Sequence, residues 1–270
     1  MNVKCSSVKH RYILGTRIDA TNYQDATQRI LRWAHTGESC YICAANVHMT
    51  MTAYDKREFA RIVNSAALIT PDGMPLVWAL NTLGIKNSSR VYGPTLALNV
   101  WREAARAGIK IGLYGGTVES LASLVLFLRN RFPSIKIVCQ ISPPFRPLTI
   151  QEDAFYTREI IDSGAQILFI GIGCPKQEIW MSKHQNQIPA VMLGVGAAFD
   201  FYSGRVRQAP KWMQKKGLEW LFRLAMEPRR LWKRYIYNNP RFLWLFAKQY
   251  LTNLSRSKQE SETVDFSKFD

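Results

Sequence analysis

Short apolar runs, separated by amphipathic stretches of helical length, limit what this chain can fold into more than any other feature. Residues 12–14, 40–45, 67–70, 110–114, 136–140, 166–171 and 190–195 read as strands. Between them, 23–35, 49–62, 96–107, 118–131, 150–163 and 175–187 carry apolar residues at the helical period. Most of the strands are hydrophobic at nearly every position, which demands cover on both faces. A parallel sheet with a helix in each crossover supplies that cover. The expected fold class is therefore α/β, a Rossmann-like core with a parallel-rich sheet and helices on both faces. Thr149 and Glu152 have capping-box spacing at the start of one of the helices.

The pattern changes near residue 204. Residues 205–258 hold fourteen Lys or Arg against only Glu219 and Glu227, which is +12 of the chain's formal +16. Four of the eight tryptophans (Trp212, Trp220, Trp232, Trp244) fall in the same stretch. Three segments are expected: a core over 1–204, a basic amphipathic helical appendage over 205–258, and a polar, disordered tail over 259–270. Basic residues interleaved with Trp, Leu and Phe suit a surface that is anionic on one side and apolar on the other, as a phospholipid leaflet is. No apolar run reaches the roughly 18 residues that span a bilayer, and the N-terminus lacks an apolar signal region. The expectation is a cytoplasmic protein bound peripherally to the inner face of the cell membrane. Five scattered cysteines read as reduced thiols. Cys40 and Cys43 have redox spacing but sit inside an apolar strand, which favours packing.

Ligands of open parallel sheets bind beyond the carboxyl ends of the strands, so the loops there hold the candidate residues. Asp72, between Pro71 and Gly73 after a buried strand, reads either as a general base or as a turn aspartate. Asn46 ends another strand, with His48 close behind it as a packing histidine or a ligand contact. Gly115, Gly116 and Thr117 lie between a strand and a helix, where backbone amides can meet an anion; a tight glycine turn is the alternative. Gly171 and Gly173 form half of a dinucleotide fingerprint whose third glycine is missing, so that motif fails. Lys176 and Gln177 follow in the first turn of a helix, with Pro175 expected at N1. No zinc-type His/Cys set and no Asp-x-Asp is present, so neither metal nor cofactor is expected.

The blocks ITPDGMPLVWALNTLG, RVYGPTL, GLYGGT, GIGCPKQEIWM, GVGAAFDFYSG and KGLEWLFRLAMEPRRLWKRY together resemble the bacterial WecG/TagA/CpsF glycosyltransferases, glycosyltransferase family 26. The resemblance implies an inverting enzyme that moves a sugar from a UDP-sugar to an undecaprenyl-diphosphate-linked monosaccharide, in cell-surface or exopolysaccharide synthesis. The donor sugar would be N-acetylmannosamine, its uronic acid, or glucose. By motif, Asp72 matches the catalytic base, Asn46 and Gln177 match pocket amides, and Arg90 matches a basic residue lining the site. Arg223 and Arg230 match arginines of a C-terminal segment that closes over the diphosphate and meets the anionic membrane. The resemblance also admits a dimer or trimer. The chain departs from the family pattern where Ala44-Ala45-Asn46 replaces Thr-x-Asn, Gly93-Pro94-Thr95 replaces Gly-x-Asp, and Gln208 replaces the Arg before Ala-Pro. A nucleic-acid-binding protein would also explain the basic stretch, but not its tryptophans or Asp72. A membrane scaffold without catalysis is the other alternative.

Overall fold

The computed structural model describes residues 8–265. The first elements are a hairpin, β1 (His10–Ile13) and β2 (Thr16–Asp19), forming its own two-stranded antiparallel sheet. Residues 12–14, expected in the main sheet, belong to this hairpin instead. Leu14 and Gly15 both adopt positive φ (49° and 79°), the two-residue geometry that folds a right-twisted ribbon back on itself. Asp19 anchors the hairpin to the core. Its Oδ2 accepts the Ile69 N–H at 2.7 Å, and its carboxylate pairs with Arg17 at 3.1 Å. Burial raises the Asp19 carboxyl from its ordinary value against the pull of Arg17. Asp19→Ala is expected to cost about 2 kcal/mol, because it leaves the buried Ile69 N–H without its acceptor while Arg17 keeps the Asn64 and Ala66 carbonyls. Urea denaturation measures this, and a loss below about 1 kcal/mol would mean that apolar contacts alone hold the hairpin.

Six further strands, β3 (Cys40–Ala45), β4 (Leu68–Pro71), β5 (Lys110–Gly115), β6 (Lys136–Ile141), β7 (Ile167–Gly171) and β8 (Val191–Gly194), form one sheet in the order β4-β3-β8-β7-β5-β6, with every neighbour parallel. The helices α1 (Tyr23–Thr36), α2 (Val47–Asp55), α3 (Arg57–Asn64), α4 (Met74–Thr82), α5 (Gly93–Ala107), α6 (Val118–Arg131), α7 (Ile150–Ser163) and α8 (Lys176–His184) make the crossovers. The α/β class read from the sequence is what the chain adopts. Alternate residues of each strand feed two apolar clusters, one on each face: Tyr41 and Cys43 enter one, Cys40 and Ile42 the other. Cys40 and Cys43 therefore pack on opposite faces of the sheet. The Thr149–Glu152 capping box is present.

Two helical expectations differ. Residues 49–62 form two helices, broken at Lys56 (φ −128°, ψ 101°), and the bend turns Phe59 and Val63 of α3 into the core. Helix α4 was unforeseen because MPLVWALNT is apolar almost all round and shows no amphipathic period.

After the short helix α9 (Ala198–Tyr202), the C-terminal segment forms α10 (Lys211–Lys215), α11 (Glu219–Met226) and α12 (Pro228–Asp265). It lies directly on the core. Leu231 and Phe242 are each 2% exposed. Arg241 forms a two-pronged pair with Asp55 of α2 (2.8 and 2.6 Å), and the Gln249 amide holds the Leu14 N–H and the Tyr12 carbonyl. Helix α12 runs on through residues 259–265, where a disordered tail was expected. That stretch is rich in Glu, Gln and Ser and has neither Gly nor Pro to stop a helix. Residues 266–270 lie outside the described residues. No helix among those described is long and apolar enough to cross a membrane.

Candidate active site

A cavity of about 310 Å³ opens beyond the carboxyl ends of β3 and β4, where the parallel-sheet rule places a ligand. The core supplies one wall, with Asn46, His48, Asp72, Trp78, Arg90 and Tyr92. The C-terminal helices supply the other, with Glu219, Arg223, Arg234, Tyr235 and Asn238. Trp78, Leu218, Phe242 and Leu243 give much of the lining an apolar character. Gly217, at φ 73°, lets the turn before α11 pass close to α4: a Cβ there would lie 3.0 Å from the Trp78 ring.

Asp72 is placed by the end of β4. Its N–H donates to the Ala45 carbonyl at 2.8 Å, which ties it to the neighbouring strand end. Its Oδ1 accepts the Gly93 N–H at 3.0 Å. Asn46 caps α2 by accepting the Met49 N–H at 3.2 Å, and this fixes the side chain whose amide hydrogen-bonds Asp72. Arg90 donates through Nε to the Asp72 main-chain carbonyl, through Nη1 to the Gln214 carbonyl (3.3 Å) and through Nη2 to Glu219 Oε2 (2.7 Å). Its guanidinium lies 4.3 Å from the centre of the Tyr92 ring. From the Asp72 carboxylate it is 4.0 Å away. Burial is the largest influence on Asp72 and raises its carboxyl to about 6. Arg90 opposes the rise, Glu219 adds to it, and the Gly93 N–H and the Asn46 amide oppose it. A carboxylate in this range can take a proton at neutral pH and release it again.

The opposite wall is cationic and underpaired. Arg223 Nε and Arg234 Nε are buried without hydrogen-bond partners. Burial lowers the Arg234 value, and the nearby Arg223 and Arg230 lower it further. Two arginines held close together, each with its Nε donor unpartnered, have the chemistry to receive an anion. His48 is pushed down to about 4 by burial and by Arg234, so it stays neutral, with its Nδ1 3.3 Å from Asn238 Nδ2. Among the described residues, no group of three or more His, Cys, Asp or Glu is gathered as metal ligands would be.

Five of the residues singled out from the sequence, Asn46, His48, Asp72, Arg90 and Arg223, come together in this cavity. The others lie elsewhere. Arg230 is exposed and pairs with Glu227 at 2.5 Å. Lys176 is exposed. Gln177 is buried with its Oε1 unpartnered, and its Nε2 donates to Glu178 Oε1 at 2.7 Å. Burial raises Glu178 to about 7. Pro175 caps α8 rather than filling its first turn. Gly115 packs against β7, where a Cβ would meet the Gly171 backbone at 2.6 Å. Thr117 Oγ1 accepts the Ser120 N–H at 3.2 Å as the cap of α6, and Gly116 and Gly173 are turn residues at positive φ. Sequence reasoning passed over Arg234, although it follows Arg223 and Arg230 at the i, i+7, i+11 spacing of one helical face. It also counted Glu219 only as a stray opposing charge.

The chain matches the glycosyl transferase WecG/TagA/CpsF family over residues 11–256. The chain belongs to this family and is a glycosyltransferase.

Proposed function

We propose that the cavity transfers a sugar, with inversion, from a UDP-sugar to a hydroxyl of a lipid-diphosphate-linked saccharide. The observation that carries this reading is the pairing of Asp72, poised near 6, with the unpartnered Arg223 and Arg234 across one small cavity. The acceptor hydroxyl gives its proton to Asp72 as its oxygen attacks the anomeric carbon. The bond from that carbon to the diphosphate oxygen breaks on the far side, and UDP leaves with the electron pair. Arg223 and Arg234 neutralise the charge growing on the leaving diphosphate, a preorganised electrostatic role that needs no metal from these residues.

Membrane attachment follows from the acceptor, whose lipid tail keeps it in a bilayer. Trp212, Trp232, Ile236, Tyr237 and Trp244 are exposed on α10 and α12 among Lys and Arg side chains. Basic residues near an anionic leaflet contribute about 1 kcal/mol each. Sedimentation with vesicles containing anionic lipid should therefore show binding that falls steeply as salt rises. Binding to neutral vesicles equal to that on anionic ones would assign attachment to the apolar side chains alone.

UDP release tests the reaction itself. Purified protein would be incubated with a panel of UDP-sugars and a short-chain lipid-diphosphate-saccharide, in EDTA and then with magnesium restored. Release that needs both the acceptor and one particular donor supports the transferase and identifies the sugar. No release under either condition would overturn this substrate reading.

A further inference from the structure

Two carboxylates face the cavity, Asp72 from the core and Glu219 from α11. Arg90 stands between them and divides its donors unequally. It is 2.7 Å from Glu219 and 4.0 Å from the Asp72 side chain, and its remaining donors go to two main-chain carbonyls. Glu219 is 8% exposed, so its pair with Arg90 is shielded from solvent. A guanidinium paired directly to a carboxylate holds that carboxylate in its ionised, weakly basic form. Within the core, Arg90 is held by the Asp72 main-chain carbonyl and the Tyr92 ring, and both contacts keep it beside the Asp72 carboxylate.

Resting on the transferase reading above, we propose that Glu219 is a positioning residue for the base: it draws the Arg90 guanidinium away from the Asp72 side chain and so preserves its affinity for the acceptor proton. The other titratable groups around the cavity carry no second negative charge. Arg90, Lys216 of the turn before α11, Arg223 of α11 and Arg234 of α12 are basic, Tyr235 of α12 is a phenol, and His48 of α2 is neutral. The phenols of Tyr92 and of Tyr23 behind it are held protonated by burial. Glu219 is the neighbour whose charge raises Asp72. Because it lies on α11, the basicity of a residue in the core depends on a helix more than a hundred residues further along the chain.

The test is a titration of the aspartate carboxyl carbons by NMR on the full-length protein, with Asp72→Asn identifying the Asp72 signal. Glu219→Gln is expected to lower the Asp72 midpoint by about one pH unit or more, since Arg90 is released toward it and a repelling charge is gone. The acid limb of kcat moves with it, plateau kcat falls several-fold, and the donor KM is unchanged. Glu219→Asp restores part of the shift. Arg90→Gln moves the midpoint up, and in that background Glu219→Gln shifts it by less than half as much as in the native background. Glu219→Ala gives a second measurement should the Gln variant fold poorly. An unchanged midpoint in the Glu219 variants, or an equal shift without Arg90, overturns the proposal. The titration uses no substrate, so failure of the transferase reading would show only in the turnover assay.

Discussion

Replacing Asp72 with Asn is expected to lower kcat by about 10²- to 10⁴-fold, the usual contribution of a positioned general base, while the protein stays folded. Asn keeps the shape of the side chain and an oxygen for the Gly93 N–H. It removes only the charge that burial disfavours. The direction of the stability change follows from proton binding. The folded carboxyl titrates at about 6, above its ordinary 3.8, so between those values the folded state holds more protons than the unfolded chain. Stability therefore falls as pH rises through that window, and the full deficit is present above about 6. The neutral variant lacks the deficit, so it should melt no lower than the native protein at neutral pH, and any advantage should fade toward pH 4. The native enzyme should gain activity with pH up to a plateau above about 6. Turnover within tenfold of native in the Asn variant would place the proton elsewhere.

The second large effect is expected on the cationic wall. Arg223→Ala and Arg234→Ala should each reduce kcat/KM by about 10²- to 10³-fold, the scale seen when one preorganised donor to developing charge is removed. Lysine should restore only part of it, because a point charge cannot reproduce the guanidinium fork. Stability should move the other way at Arg234. Arg234 Nε is buried without a hydrogen-bond partner, its guanidinium having the Tyr235 ring at 5.8 Å; an unsatisfied buried donor is a cost to the fold, so Arg234→Met should raise the melting temperature as it destroys activity. Calorimetric titration with UDP is the direct check, and native UDP affinity in both variants would remove these arginines from the diphosphate site.

What the sequence revealed follows the range of the interactions involved. The sheet was legible because strands such as Cys40–Ala45 and Val191–Gly194 are apolar throughout and declare their burial within a few residues. The helix from Val118 to Arg131 and the Thr149–Glu152 cap were legible for the same local reason. Asn46 and Asp72 could be found because strand ends in this topology mark the site, whereas Arg90 came only from the family resemblance. Glu219 and Arg234 could not be placed that way. Their meaning comes from Arg90 and from the facing wall, contacts that span more than a hundred residues, and neither the helical period nor the local charge balance records them. Helix α4 was hidden because a segment buried on most sides loses its polar face, and the hairpin because Leu14-Gly15 lacks the Asn-Gly signal of its turn.

Asn46 and Asp72 on one wall of the cavity, and Arg234 and Leu243 on the other, are separated by most of the chain. During synthesis the sheet is complete in sequence once Gly194 has left the ribosome, yet at that moment there is no enclosed site. The nascent chain thus passes through a long interval in which the cavity has one wall and lacks the other. On the proposed reading, a chain stopped before α12 is expected to be inert, with activity gained in one late event instead of growing as the chain lengthens.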